Sequence, residues 1–340
     1  MKSNFDFLNK DFPVLANFGK LAERYCFSDP NSCLIKVGMI GETIVNLMFT
    51  YDGVALPYDN TAATRINALM REGLLTAELC DILHILRKAR NKATHENYGS
   101  EEEGKNLLQM AHSLCEWFMQ TYGDWNYQNQ SFIMPTKITA LQAEDKEKEK
   151  KFEDELTKKA EETAAAAPKV SQEVRKKQSV RAAGKRQKSE AETRYLIDEQ
   201  LRKVGWEADT ERLRYSKGTR PQTGRNMAIA EWPANFQYKK KGYADYALFI
   251  GTQMVAVIEA KAIHKDIPSV IDYQCKDYTR YIRDEDSKYQ VGTWGAFKVP
   301  FTFATNGRPY LEQYKTKSGI WFLDLRQNFN SPKALHGWIS

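Results

Sequence analysis

The sequence has few cysteines and no arrangement of them that suits a structural metal or a disulfide framework. Its 340 residues include five cysteines, an odd number, and no two of them form a CxxC pair. This usage argues against both a zinc site and a disulfide framework. Reduced, buried cysteines, which are usual in cytosolic proteins, explain this usage better.

Targeting and membrane-spanning segments are also lacking. The N-terminus reads MKSNFDFLNKDF, with acids and amides where a secretory signal needs an apolar run. No stretch is expected to supply the roughly 18 apolar residues of a transmembrane helix. We therefore expect a soluble intracellular protein that makes no membrane contact.

Neither sign of charge dominates the chain as a whole. There are 50 basic and 44 acidic residues, and a net charge of +6 does not by itself indicate a nucleic-acid partner. The distribution is more informative, because residues 169–188 hold eight basic residues and one acid. This run is interpreted as a solvated linker or as an arm that binds phosphates non-specifically, and the two interpretations are compatible.

The composition predicts three regions. Residues 1–136 are expected to form an α-helical domain, because apolar positions recur at helical spacing between short loops and capping residues. Residues 137–189 are expected to form a charged, helical or disordered linker, since the Ala, Glu and Lys-rich stretch has no apolar face. Residues 190–340 are expected to form an α/β domain with a mixed central sheet, because a helix is followed by strand-like runs. These runs are Ala244–Ile250, Met254–Ala260, Phe301–Ala304 and Ile320–Leu325.

Three charged residues of the third region are predicted to share one face of a hairpin. Two apolar runs flank Gly251-Thr252, which is a hairpin signal. If the turn centres on Thr252, Asp245 lies opposite Glu259, and opposed Cβ atoms are ~4.5–5.5 Å apart. Glu259 and Lys261 also share a face, because side chains alternate along a strand.

Such a patch suits a hard divalent cation. Two close carboxylates repel each other unless a cation lies between them, and Mg²⁺ prefers oxygen ligands of this kind. Lys261 is then placed to orient or deprotonate an attacking water, an arrangement suited to phosphodiester hydrolysis. The alternative, exposed charges on half-buried strands, is common. It is weakened here because the run between Asp245 and Glu259 is apolar on both faces, as in a central strand.

The wider sequence resembles a known family. The D…ExK pattern resembles the PD-(D/E)xK nucleases, and several longer segments resemble the restriction (R) subunit, HsdR, of type I restriction-modification enzymes of the EcoKI-like type. The helical region contributes Leu34–Glu42 and Arg87–His95 to this likeness. The third region contributes Leu196–Trp206, Ile229–Pro233, Gly242–Phe249, Val257–Lys261 and Thr305–Gly307.

The resemblance implies roles for individual residues. Asp245, Glu259 and the backbone carbonyl of Ala260 would hold Mg²⁺, and Lys261 would be the catalytic lysine. Glu192 would assist the metal or its water from the first helix. Asp198 and Glu199 are the alternatives to Glu192. The family also carries a QxxxY element that contacts DNA or organises the site, and Gln274 and Tyr278 match it. Independently of the resemblance, Lys239, Lys240 and Arg220 are candidate contacts to DNA phosphates.

The resemblance also implies a fragment. Restriction subunits continue into an ATP-driven motor, yet no GxxxxGK[ST] phosphate loop occurs in this sequence. ATP would therefore serve only a region outside this chain. The implied partners are double-stranded DNA and the methyltransferase and specificity subunits of a type I complex in the bacterial cytoplasm.

Two other functions are compatible with the sequence. Arg90-Asn91-x-x-x-His95 resembles the R-N-x-x-x-H element of HEPN-type helical domains, some of which cleave RNA. On a regular helix Arg90 and His95 point about 140° apart, so a shared site would need a partner chain or a distortion. The third possibility is a fragment without catalysis that only docks on DNA or on partner subunits.

Overall fold

A computed structural model describes residues 3–136, 146–186, 189–235, 242–261, 267–271, 275–307, 316, 318–327 and 329–338. The chain divides into two compact units, Met1–Gln187 and Lys188–Ser340, which we call the helical unit and the sheet unit.

The helical unit is built around one long apolar helix. Helix α2 packs against α1, α4 and α5, while α3 lies on α4. Four predicted helix starts occur where a side chain caps the first turn: Asp29, Thr61, Thr76 and Ser100 each accept a hydrogen bond from the backbone three residues ahead. The helices are α1 (Pro13–Ser28), α2 (Pro30–Asp52), α3 (Ala62–Arg71), α4 (Ala77–Glu96), α5 (Glu101–Tyr122), α6 (Lys146–Ala166) and α7 (Gln172–Lys185).

Helix α2 corrects one expectation. By length and composition alone it is apolar enough to cross a membrane, although the sequence was expected to contain no such stretch. In the helical unit, 67% of its apolar window is buried against protein. Packing on three sides by other helices accounts for its composition, as it does for the core helix of a bundle.

Helices α6 and α7 lie in the region predicted to be a charged, helical or disordered linker, and both belong to the helical unit. Ser179 of α7 is fully buried; its Oγ donates to the Leu74 carbonyl at 2.7 Å, and its own carbonyl accepts from Trp117 Nε1 at 3.1 Å. The Arg175 guanidinium lies 3.0 Å from Asp52. These helices pack through polar and charged groups, which leave no apolar periodicity in the sequence. Residues 137–145, 187 and 188 lie outside the described residues.

The sheet unit combines one amphipathic helix with a seven-stranded mixed sheet in the order β1 to β7. The pairs β1/β2 and β4/β5 are parallel, and the others are antiparallel. Four strands were predicted, whereas β1, β2 and β7 were not. The elements are α8 (Glu190–Lys203), β1 (Glu207–Ala208), β2 (Asn226–Ala234), β3 (Gly242–Ile250), β4 (Gln253–Ala260), α9 (Ile267–Val270), α10 (Lys276–Arg280), β5 (Phe301–Thr305), β6 (Ile320–Asp324) and β7 (Lys333–Leu335).

The turn between β3 and β4 differs from the prediction. Ile250 pairs with Gln253, so that Gly251 and Thr252 form a two-residue turn rather than one centred on Thr252. Gly251 has φ 58°, in the left-handed region that favours glycine. Without a correction, this turn would displace the rest of the hairpin by one residue and move the predicted site residues out of opposition.

A β-bulge restores the predicted register. The pairing shifts by one residue just before Phe249, after which Tyr246 lies opposite Ile258. Asp245 and Glu259 are the next residues along the two strands. The bulge therefore aligns the two acids at the end of the hairpin remote from the turn.

Apolar side chains cover both faces of the sheet. On one face Ile197 and Leu201 of α8 pack against Tyr246 and Ile258. On the other, Trp232 belongs to a cluster with Phe249, Ile282 and Val299. All five cysteines are buried and free, as their usage predicted. Strands β3 and β4 are thus central, and charged groups at their ends are partly withdrawn from solvent.

Candidate active site

The two acids predicted to form the site are buried where β3 and β4 pass one another. Asp245 and Glu259 have 9% and 4% of their surface exposed. Asp245 Oδ2 accepts a hydrogen bond from the backbone N–H of Ala260 at 2.8 Å, which ties the two strands together at this point. Lys261 Nζ lies 2.5 Å from Glu259 Oε1. The structure therefore brings Asp245, Glu259 and Lys261 into one cluster.

Burial makes the ionised pair of acids costly. It raises the pKa of the Asp245 carboxyl above its usual range, against the opposing effects of Arg194, the Ala260 N–H and Lys261. Burial, and then the charge of Asp245, raise the pKa of Glu259 to about 8, although Lys261 lowers it. Positive charge brought to this site would favour ionisation of both groups.

One oxygen of the cluster has the properties of a ligand atom. Glu259 Oε2 is buried and has no hydrogen-bond partner of regular geometry among the described residues. A buried carboxylate oxygen without a donor is unfavourable, and a hard divalent cation would satisfy it. The donor set of Asp245 and Glu259 oxygens fits such an ion. No group of three or more His, Cys, Asp and Glu side chains forms a metal cluster in the part of the chain that the structure describes.

An arginine that the sequence analysis missed lies at the centre of the cluster. Arg194 of α8 donates from Nη2 to Asp245 Oδ1 at 2.7 Å and from Nη1 to Glu231 Oε1 at 3.1 Å. Its guanidinium thus bridges a β3 acid and a β2 acid. In the sequence, Glu231 is marked only by its position within the segment Ile229–Pro233, which carries part of the family resemblance. Arg194 lies outside every segment that carries it.

Glu231 has an unusual backbone. It lies in β2 between two residues that pair with β3, Ala230 and Trp232, yet its φ is 53°. A left-handed conformation costs a residue with a Cβ roughly 1–2 kcal/mol. Such strain is concentrated at functional sites. The conformation places the Glu231 carboxylate on Arg194, beside Asp245.

Tyr278 of the predicted QxxxY element also reaches the cluster. It is 3% exposed on α10, and hydrogen bonding to its hydroxyl lowers the pKa of Glu259. Gln274, the first residue of that element, lies outside the described residues, as do Lys239 and Lys240. Arg220 is exposed, and its guanidinium lies 3.7 Å from the centre of the Tyr215 ring.

The acids of α8 have different surroundings. Glu192 is buried in the first turn of the helix, and its backbone N–H donates to the Ser189 hydroxyl at 3.0 Å. Asp198 accepts from the Tyr246 hydroxyl at 2.9 Å and from the Thr210 N–H at 2.6 Å. Glu199 pairs with an arginine of its own helix. Asp198 and Glu199 have these partners within the sheet unit, and the choice of Glu192 as the assisting acid stays a prediction.

Comparison with known proteins bears on the resemblance. A family model of the second domain of the type I restriction enzyme EcoKI endonuclease subunit matches residues 207–340. A model of a domain of unknown function, DUF4145, matches residues 20–163. The type I restriction enzyme EcoKI endonuclease subunit of Escherichia coli (strain K12) is 30% identical over 99% of this chain. The chain resembles a type I restriction endonuclease subunit over nearly its whole length.

This finding confirms the resemblance drawn from the sequence. The chain spans 35% of the length of that subunit, so the match concerns about a third of the relative. No solved structure matches the chain. The model for the second domain covers all seven strands, including Asp245, Glu259 and Lys261, but begins after α8, which carries Arg194.

Proposed function

We propose that the sheet unit is a PD-(D/E)xK nuclease that hydrolyses phosphodiester bonds of double-stranded DNA with the help of Mg²⁺. The observation that carries this proposal is the buried pair Asp245 and Glu259, with the Lys261 ammonium 2.5 Å from Glu259 Oε1 and no hydrogen bond of regular geometry to Glu259 Oε2 from the described residues. The restriction-endonuclease name of the relative supports DNA as the substrate.

Each residue of the cluster has a separate role in the proposed reaction. Asp245, Glu259 and the Ala260 carbonyl would hold the cation, which supplies Lewis-acid stabilisation of charge that develops on the phosphate. Lys261 holds Glu259 through their 2.5 Å ion pair and would orient or help deprotonate the attacking water. Tyr278 would orient Glu259 through its hydroxyl, and Glu192 would assist from α8.

The cations around the acids favour a phosphate substrate. Arg194 and Lys261 carry positive charge at the end of two central strands, with side chains 21% and 19% exposed. Partly exposed cations can reach a phosphodiester while the carboxylates behind them stay buried. Lys239, Lys240, Arg220 and Gln274 would extend this contact along the duplex.

A larger assembly is part of the proposal. In a complete type I enzyme, the motor would use ATP, and the methyltransferase and specificity subunits would choose the site in the bacterial cytoplasm. The chain described here would then contribute the cutting step.

The test combines cation binding with cleavage. Calorimetric titration with Mn²⁺ should show a site in the wild-type chain that is lost in Asp245→Asn and Glu259→Gln. Nicking of a supercoiled plasmid in Mg²⁺ should fall roughly a hundredfold or more in these variants and in Lys261→Met. Asp324→Asn, which removes an acid at the end of another strand of the same sheet, is the matched control.

Two results would overturn the proposal. One is Mn²⁺ binding that is unchanged in both carboxylate variants. The other is plasmid nicking by Asp245→Asn at the wild-type rate. A single-stranded DNA and an RNA of the same sequence, assayed in parallel, identify the substrate class, and preferential cutting of RNA would contradict the assignment to DNA.

A further inference from the structure

The helical unit contains a cavity that the proposed nuclease does not use. It lies between α2, α3 and α4 and has a volume of about 170 Å³. Gly38 and Gly41 of α2 line it, and a Cβ on Gly38 would come within 2.3 Å of the Arg90 Cβ. Glycine here allows α4 to approach α2 closely, which brings the arginines of α4 to the cavity.

The cavity lining is strongly basic. Arg65, Arg87 and Arg90 line it, and Glu42 is the acid among the lining residues. Glu42 forms an ion pair with Arg90. Arg65 donates to a neutral amide, Asn46 Oδ1, at 2.6 Å. Because no carboxylate among the described residues pairs with Arg65 or Arg87, about two positive charges of the lining are not balanced locally.

Arg87 also has an unsatisfied donor. Its Nε is buried and donates no hydrogen bond to any residue that the structure describes. Leaving a buried donor without an acceptor costs about 1–3 kcal/mol, so an acceptor in the cavity would stabilise this side chain. Burial lowers the pKa of the neighbouring Arg90, because desolvation disfavours the ionised guanidinium. Both observations favour a bound anion.

We propose that this cavity binds a phosphate group, carried by a free nucleotide or by the end of a nucleic-acid strand. Guanidinium groups match phosphate oxygens with two parallel hydrogen bonds, and a phosphate brings the negative charge that the lining lacks. The volume equals that of roughly five or six liquid waters, enough for a phosphate and its sugar but not for a duplex. Arg65 and Arg87 are the principal contacts.

The site bears on the Arg90-Asn91-x-x-x-His95 element. Arg90 and Asn91 line the cavity, whereas His95 is exposed in the last turn of α4 and does not line it. No other histidine is among the lining residues. The cavity therefore offers phosphate binding without an imidazole to act as acid or base, and the inference is one of binding rather than of RNA cleavage.

The test uses the full chain in EDTA, so that no divalent cation mediates binding. Titration calorimetry with inorganic phosphate, adenosine monophosphate and a 5′-phosphorylated trinucleotide is compared with the unphosphorylated trinucleotide. We expect saturable binding of at least one phosphate-bearing probe. Arg87→Met and Arg65→Met should each weaken it tenfold or more, and Arg71→Met, which removes an exposed arginine of α3, should not.

The outcomes separate the sources of the phosphate and the two proposals. Binding of phosphate and adenosine monophosphate identifies a free nucleotide, and binding of the phosphorylated trinucleotide alone identifies a strand end. Absence of saturable binding, or binding by both Arg87→Met and Arg65→Met that is as tight as in the wild type, overturns the inference. Thermal unfolding of each variant checks that it is folded. Arg87→Met and Arg65→Met should keep the Mn²⁺ binding and plasmid nicking of the wild type, so failure here is distinct from failure of the nuclease assignment.

Discussion

The Arg194 guanidinium lies 2.7 Å from Asp245 Oδ1 and so acts on the same carboxylate that is proposed to hold Mg²⁺. It lowers the pKa of Asp245, against the opposite effect of burial. A divalent cation that bound Asp245 would compete with this guanidinium for negative charge. Arg194 therefore stabilises the cation-free site, and its release toward substrate would accompany loading with the ion.

Replacing Arg194 by methionine should change stability and cation response in opposite directions. Without the guanidinium, Asp245 stays buried and loses a charged hydrogen bond, so the free energy of unfolding in EDTA should fall by about 1.5–3 kcal/mol. The stabilisation produced by Ca²⁺ should become larger. Urea unfolding with and without Ca²⁺ measures both quantities. Arg326→Met, which removes an exposed ion pair with Asp324, should leave the free energy of unfolding close to that of the wild type. Unchanged values in Arg194→Met would contradict this account.

Glu231 should be one of the few strand positions where glycine is preferred to alanine. Its φ of 53° penalises any residue with a Cβ, so Glu231→Gly should be more stable than Glu231→Ala by about 1–2 kcal/mol. Both variants lack the carboxylate, and only the backbone cost separates them. The same pair of substitutions at Asn226, the exposed first residue of β2, should show the opposite order in urea unfolding. An alanine variant at Glu231 as stable as the glycine variant would argue against the strain.

The pH dependence of stability should include a contribution from Asp198. Burial raises its pKa to about 7, so the folded protein keeps a proton that the unfolded chain releases near pH 4. Stability from this group is therefore complete at acid pH, falls as pH rises from about 4 to 7, and then levels off. Its slope is at most about 1.4 kcal/mol per pH unit. Urea unfolding between pH 4.5 and 8 should show a smaller fall in Asp198→Asn, and parallel curves would refute the assignment.

Arg175 should be essential to the packing of α7. Its side chain and that of Asp52 are 6% and 1% exposed, so Arg175→Met leaves a buried carboxylate that still accepts a hydrogen bond from the Tyr122 hydroxyl but has lost its ion pair. We expect a loss of about 3 kcal/mol. Hydrogen-exchange mass spectrometry in urea measures the helical unit separately. Lys177→Met, on the exposed side of α7, should stay within about 0.5 kcal/mol of the wild type. Equal protection in both variants would mean that α7 does not depend on this pair.

Signals that are local in sequence predicted the structure well. The starts of α2 to α5 depend on one capping side chain and the first turn behind it, and these are contiguous in the chain. The cluster of Asp245, Glu259 and Lys261 was also predictable, because a tight hairpin fixes which strand residues approach. The pairing of Asp245 with Glu259 also depends on a β-bulge, and no residue in the sequence predicts that bulge. The bulge compensates for a turn that is one residue shorter than the predicted one.

Contacts between distant segments were not predictable in the same way. Helix α7 is held by ion pairs and hydrogen bonds whose partners lie 54 to 123 residues away in the chain. The sequence alone does not distinguish a charged side chain in a solvent-exposed run from one in a buried ion pair. Arg194 and Glu231 join the site from α8 and β2 for the same reason. Strand β2 was missed although its central positions are apolar, because Pro233 and the charged Glu231 interrupt the pattern.

The packing of α8 on the sheet determines where a truncated form of the sheet unit should begin. A polypeptide beginning at residue 207, where the matched second-domain model begins, would retain all seven strands and lose the helix. Leu201 and Ile197 would no longer cover the apolar side of Tyr246, and Asp245 would have no guanidinium neighbour from α8. Such a truncation would expose an apolar face of the sheet and would be expected to aggregate. A polypeptide that starts at or before Ser189 keeps α8 together with its capping residue.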